Sequence, residues 1–125
     1  FAVALNARRV PGAHFRPAVF EPTFQKHAKA TGGGVQLHVT DRKAFRPCAA
    51  AAALLLEFRR QDPARFEWRQ PPYEYEHDKM PIDILAGSPD LRQQVEAQVP
   101  LDEIVDSWMP ETVEFESVRQ TYLLY

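Results

Sequence analysis

The chain has 125 residues, 45% hydrophobic and 26% charged, which is one domain's worth of sequence with enough apolar content for a single core. Fifteen Lys and Arg against seventeen Asp and Glu leave a net charge of −2 with the basic residues scattered, which excludes a phosphate-tracking nucleic-acid binder. The lone Cys48 excludes an intrachain disulfide and a cysteine-rich zinc site, and the longest apolar run, Cys48 to Leu56, falls far short of the ~20 residues that span a bilayer.

Phe1 to Arg9 reads as the end of a helix, apolar at Phe1, Val3 and Leu5 and closed by the turn Val10-Pro11-Gly12. The start at Phe1, with no Met and no leader pattern, suggests a piece of a longer polypeptide. From His14 to Phe24, Pro17 and Pro22 forbid a helix and predict an extended segment with little ladder pairing. Lys26 to Gly34 is a polar loop ending in Gly32-Gly33-Gly34. Three glycines could cradle a phosphate if a strand preceded and a helix followed; here a strand follows, so a flexible turn is the simpler reading.

Gly34 to Asp41 is the clearest strand, with Val35, Leu37 and Val39 on a packed face and Gln36, His38 and Thr40 on the other. Pro47 suits a first helical turn, and Ala51, Leu54, Leu55 and Phe58 predict the inward face of a helix running to about Arg60. Glu57, Arg59 and Arg60 should then face water, and Cys48 reads as an inert packed thiol. Asp62-Pro63 opens a turn, with Phe66 and Trp68 as core anchors.

After Pro71-Pro72, Tyr73 to Asp78 alternates aromatic and acidic residues and predicts a short edge strand with its tyrosines inward. Ile82, Ile84 and Leu85 form a brief apolar turn ended by Gly87; Ser88-Pro89 opens a helix to about Ala97 with Leu91 and Val95 inward. Further helices follow Pro100, with Leu101, Ile104, Val105 and Trp108 at helical spacing, and Pro110, with Val113, Val118 and Tyr122 on one side. Strands first and helices later, with no βαβ rhythm, make the class α+β: a small mixed or antiparallel sheet with several helices packed on one side, in a single domain over 1–125.

The polar face Gln36/His38/Thr40, continued by Asp41 and Arg42, is the best candidate site. An imidazole between an amide and a hydroxyl can orient a ligand hydroxyl or shuttle a proton, whereas a simply solvated sheet face has the same pattern. Glu74 and Glu76 would share a strand face with Asp78 behind them; such a pair could run acid/base sugar chemistry or merely charge an edge strand against aggregation. Asp83, among Ile82, Ile84 and Leu85, needs a cation or a helix start to satisfy it. The four histidines never come at ligand spacing and no nucleophile elbow occurs, so neither a metal, a cofactor nor a catalytic serine is indicated.

The blocks Phe20-Glu21-Pro22-Thr23-Phe24-Gln25-Lys26, Gly34 to Arg42, Phe45-Arg46-Pro47, Phe66-Glu67-Trp68, Tyr73-Glu74-Tyr75, Pro81-Ile82-Asp83-Ile84-Leu85-Ala86-Gly87-Ser88 and Tyr122-Leu123-Leu124-Tyr125 occur in order along nearly the whole chain. Together they resemble the C-terminal domain of the bacterial exo-β-N-acetylmuramidases. The resemblance implies a two-domain glycoside hydrolase that removes N-acetylmuramic acid from the non-reducing ends of peptidoglycan fragments during cell-wall turnover and recycling. A larger Rossmann-like N-terminal domain would carry most of the catalytic apparatus, so no catalytic residue is assigned in this chain and the isolated domain should be inert. The loop from Lys26 to Gly34 departs from the family's shorter, cysteine-containing form.

A lactyl-bearing amino sugar needs donors for its carboxylate and acceptors for its hydroxyls. The resemblance therefore nominates Lys26, Gln36, His38, Thr40, Asp41 and Arg42 as substrate-binding residues, with the N-terminal domain and a peptidoglycan saccharide as partners. In the rival readings, these residues hold the loop or bond the neighbouring domain, and the chain is a scaffold, a dimerisation module or a carbohydrate-binding module. The compartment stays open, with periplasm or secretion favoured over cytoplasm.

Overall fold

The computed structural model describes residues 1–124; Tyr125, the last residue of the closing motif, lies outside the described residues. The described elements run α1 (Ala2–Ala7), β1 (Ala13–Phe20), β2 (Gly32–Val39), α2 (Pro47–Gln61), α3 (Pro81–Ala86), α4 (Asp90–Glu96), α5 (Leu101–Ser107) and α6 (Met109–Gln120). The α+β class holds, and the sheet is antiparallel with two strands. The chain divides into two compact units, Phe1–Glu67 and Trp68–Tyr125.

In the first unit β1 and β2 pair over their full lengths, from Ala13↔Val39 to Phe20↔Gly32. The segment predicted to be extended with little pairing, His14 to Phe24, is therefore a fully paired strand as far as Phe20, and the glycines predicted to form a flexible turn begin its partner. Pro17 is tolerated because of where its nitrogen points. The Asn6 side chain on α1 accepts from the Phe15 N–H and donates to the Phe15 carbonyl, both at 2.9 Å, so Phe15 turns its backbone groups away from β2. Residues two apart on a strand point the same way, so Pro17 also faces outward and costs the ladder no donor.

Asn6 thus stands in for a third strand at one residue, and Phe15 is buried along with Leu5 and Val10. Gly12 closes the other approach. It adopts φ +67°, its carbonyl accepts from the Thr40 and Asp41 N–H groups, and a Cβ there would sit 2.4 Å from the Asp41 carbonyl oxygen.

Helix α2 starts at Pro47 as predicted but turns a different face inward. Ala49, Ala50, Ala52, Ala53, Leu56 and Glu57 are buried, whereas Ala51, Phe58 and Cys48 are exposed. An alanine-rich run is apolar on all sides, so its hydrophobic period does not single out one face. Glu57 decides the rotation: although predicted to face water it is 3% exposed, held by Arg8 of α1 at 2.6 Å and by Arg60 at 2.8 Å. Phe58 stacks on Phe1 with ring centroids 4.5 Å apart.

In the second unit, the predicted edge strand at Tyr73 to Asp78 is a tight turn. Tyr73 and Glu76 exchange both backbone hydrogen bonds, 2.9 and 3.0 Å, and Glu74 takes φ +53°. A turn does not alternate its side chains, so Tyr75 points outward and is 96% exposed. Gly87 ends α3 in the left-handed conformation, as its position predicts. Helix α4 begins one residue later than expected, with the Asp90 N–H donating to the Ser88 hydroxyl at 3.3 Å. Asp83 finds its cation in Arg92, whose Nε and Nη2 reach the two carboxylate oxygens at 2.8 and 2.9 Å and clamp α3 to α4. Val95 and Ile104 are fully buried, but α6 buries none of its residues. No described helix is long and apolar enough to cross a membrane.

Candidate functional site

The register of the hairpin sorts its side chains into two faces. Ala13, Phe15, Pro17 and Val19 share one face with Gly33, Val35, Leu37 and Val39; His14, Arg16, Ala18 and Phe20 share the other with Gly32, Gly34, Gln36 and His38. The second face is the polar one read from β2, now doubled by β1. His14 lies directly opposite His38 and Arg16 directly opposite Gln36, with Arg16 Nη2 donating to Gln36 Oε1 at 2.5 Å. The apolar face is less buried than the alternation predicts, since Leu37 and Val39 are exposed along with Gln36 and His38 of the polar face.

Phe20 ends this face. A Cβ built on Gly32 or on Gly34 would meet its ring at 3.1 Å, so the ring rests on the strand backbone where the two glycines leave room. Arg16, His14 and Phe20 were not nominated from the sequence. The signal was present as the alternation His14, Arg16, Ala18, Phe20, but the prolines discouraged reading a strand there.

The six nominated residues do not converge. Gln36 and His38 stand together on the polar face. Lys26 belongs to the 21–31 loop at the Phe20–Gly32 end of the hairpin, while Thr40, Asp41 and Arg42 follow the opposite end of β2. Eight residues at roughly 3.3 Å each separate those ends. Asp41 is occupied structurally: its Oδ1 accepts from the N–H groups of Lys43 at 2.8 Å and Ala44 at 3.2 Å. The 21–31 loop holds Gln25, His27 and Lys29 at φ 59 to 62°, closed by the Lys29 N–H donating to the Pro22 carbonyl at 2.8 Å.

The other candidates have structural partners. Burial raises the pKa of Glu57, but hydrogen bonds from Arg60 and Arg8 and their charges outweigh it and hold the carboxyl below its ordinary value. Glu76 Oε1 accepts from the Asp78 and Lys79 N–H groups, which likewise lowers its pKa, and because this segment is a turn with Glu74 at φ +53°, Glu74 and Glu76 do not share a strand face. An open cleft of about 380 Å³ is lined by Phe58, Gln61, Asp62, Arg65, Phe66 and Glu67, and by none of the nominated residues. Among the described residues no three His, Cys, Asp or Glu side chains gather to hold a metal ion.

Comparison with known proteins gives a consistent result. The family described as "Exo-beta-N-acetylmuramidase NamZ, C-terminal" matches residues 1–125. The chain is 31% identical over 121 residues to the peptidoglycan beta-N-acetylmuramidase NamZ of Bacillus subtilis (strain 168), a match covering 97% of this chain and 27% of that protein. The crystal structure of a DUF1343 family protein from Bacteroides fragilis NCTC 9343 superposes with a TM-score of 0.76 at 22% identity, covering 100% of this chain and 33% of that one, and so shares its fold.

Proposed function

This chain belongs to the C-terminal family of the exo-β-N-acetylmuramidases, and from that premise we propose that it is the C-terminal domain of a longer, two-domain glycoside hydrolase. The enzyme removes N-acetylmuramic acid from the non-reducing ends of peptidoglycan fragments in cell-wall turnover and recycling. The chemistry belongs to the N-terminal domain, and this domain borders the substrate cleft with the polar face of its hairpin. The full-length family match carries the reading; its support in the fold is the exposed row Gln36, His38, Arg16 and His14, which offers donors and acceptors with no burial of its own to explain them. Lys26, Thr40, Asp41 and Arg42 contribute from the two ends of the hairpin.

The test is the full-length enzyme on a chromogenic N-acetylmuramic acid glycoside. His38→Ala and Gln36→Ala lower kcat/KM by about tenfold each if the face touches the sugar, the scale of one lost charged or polar contact. Unchanged kcat/KM in folded protein removes the face from the cleft.

One observation favours a second reading, a scaffold or dimerisation module. Met109, Val113, Phe115 and Val118 of α6 are exposed, with Phe115 at 66%. Apolar area of this kind is offered to protein, and it supports a docking contact with the N-terminal domain. The readings separate by variant: the scaffold predicts loss of stability from α6 substitutions and no kinetic effect from the hairpin face.

A further inference from the structure

The hairpin face has a feature that the role of a sheet surface does not require. Phe20 keeps 53% of its area exposed although its ring is seated on the backbone of β2 between Gly32 and Gly34. Glycine in a strand weakens it, since no side chain packs and more chain entropy is lost. Here two glycines leave room for an aromatic ring whose far side stays open to solvent. The ring reaches Gly34, and Gln36 lies one pleat further along the same face, roughly 6–7 Å away.

At that next position stands Arg16. Its side-chain partner is the neutral Gln36 amide oxygen, and no described carboxylate forms an ion pair with it, so the guanidinium is oriented while its charge is left unneutralised. None of the eight residues of this face is acidic: His14, Arg16, Ala18, Phe20, Gly32, Gly34, Gln36 and His38. A flat aromatic surface one pleat from an oriented, unpaired guanidinium is complementary to a ring that has an apolar side and carries a carboxylate. A planar fork of N–H donors suits a carboxylate, and an open aromatic face suits the C–H side of a sugar ring. A bare phosphate would gain nothing from the phenyl ring.

We infer that Phe20 and Arg16 form a subsite for an acidic sugar, with the sugar ring on Phe20 and its carboxylate on Arg16, and that they set the preference of the enzyme for a free acid. The inference rests on the cleft reading above and goes beyond it in naming the residues that recognise the acid.

The test uses the full-length enzyme and two probes, a chromogenic N-acetylmuramic acid glycoside and the same glycoside with its lactyl carboxylate converted to a carboxamide. Arg16→Gln raises KM for the acid about tenfold and leaves the amide within about twofold, so the acid-to-amide preference collapses. Arg16→Lys, which keeps the charge and loses the fork, restores part of it. Phe20→Leu keeps an apolar cover over the glycines and raises KM for both probes with kcat little changed; Gly34→Ala, which displaces the ring without removing it, does the same. Arg16 is exposed, so its variants fold even if those at Phe20 do not. An unchanged acid-to-amide ratio in Arg16→Gln overturns the inference. If His38→Ala and Gln36→Ala still lower kcat/KM, the cleft reading survives that outcome; if all of these variants are kinetically silent, both fall.

Discussion

Glu57 is a charge taken out of water and held by two arginines. Each guanidinium places both Nε and Nη2 on one carboxylate oxygen, Arg8 on Oε1 and Arg60 on Oε2, so the carboxylate joins α1 to α2. Removing its charge leaves the two arginines facing an amide, and Glu57→Gln should destabilise the protein by about 3 kcal/mol at neutral pH, measured by urea unfolding. The pH dependence follows from the lowered pKa. A carboxyl lower in the folded than in the unfolded state stabilises the fold above the ordinary value of 4.5, and that contribution is lost as pH falls through the folded-state value. The gap between wild type and Glu57→Gln should therefore be full at pH 7 and shrink progressively in acid below pH 4.5. Gly12 carries a steric constraint instead. Gly12→Ala combines a positive φ with a Cβ 2.4 Å from the Asp41 carbonyl oxygen, so a loss of about 2 kcal/mol or more is expected in the same measurement.

Element by element, local signals located helices better than they oriented them. Pro47 begins α2, Gly87 ends α3, and the 35-37-39 alternation marks β2. The inward face of α2 was not legible, because alanine on every side leaves the choice to whatever packs there and to the burial of Glu57. The face is checked by two substitutions: Ala53→Leu, at a fully buried position, should cost about 1–3 kcal/mol, and Ala51→Leu, at an exposed one, should stay within about 0.5. β1 was missed for a related reason. A proline is harmful to a strand only where its nitrogen faces a partner, and that depends on Asn6, eleven residues earlier and on another element. Asn6→Ala strips the Phe15 backbone of both bonds, for an expected loss of about 1–3 kcal/mol and faster amide exchange at Phe15.

At the scale of the whole molecule, α6 has no buried side chain, although Phe115 and Val118 lie three apart as in a packed helix. The chain spans about a quarter of the Bacillus subtilis relative's length, which leaves most of such a protein available to cover this helix. If α6 docks on the N-terminal domain, Val118→Glu should lower the Tm of the full-length enzyme by several degrees, whereas Glu114→Lys should leave it unchanged. Equal Tm for the two would mark α6 as a free surface.

Patterns confined to a few neighbouring residues were enough to establish the α+β class, most helix starts and the β2 strand, because turns, caps and periodicity are properties of the local chain; the family resemblance came from the order of short blocks along nearly the whole chain. Pairing partners were a different matter. That His14 faces His38, that Arg16 meets Gln36, that Phe20 lies on two glycines and that Glu57 is buried between arginines are all contacts across gaps of 12 residues or more, apart from Arg60 beside Glu57. Such contacts follow from strand register and helix rotation, which are settled only when the elements pack together.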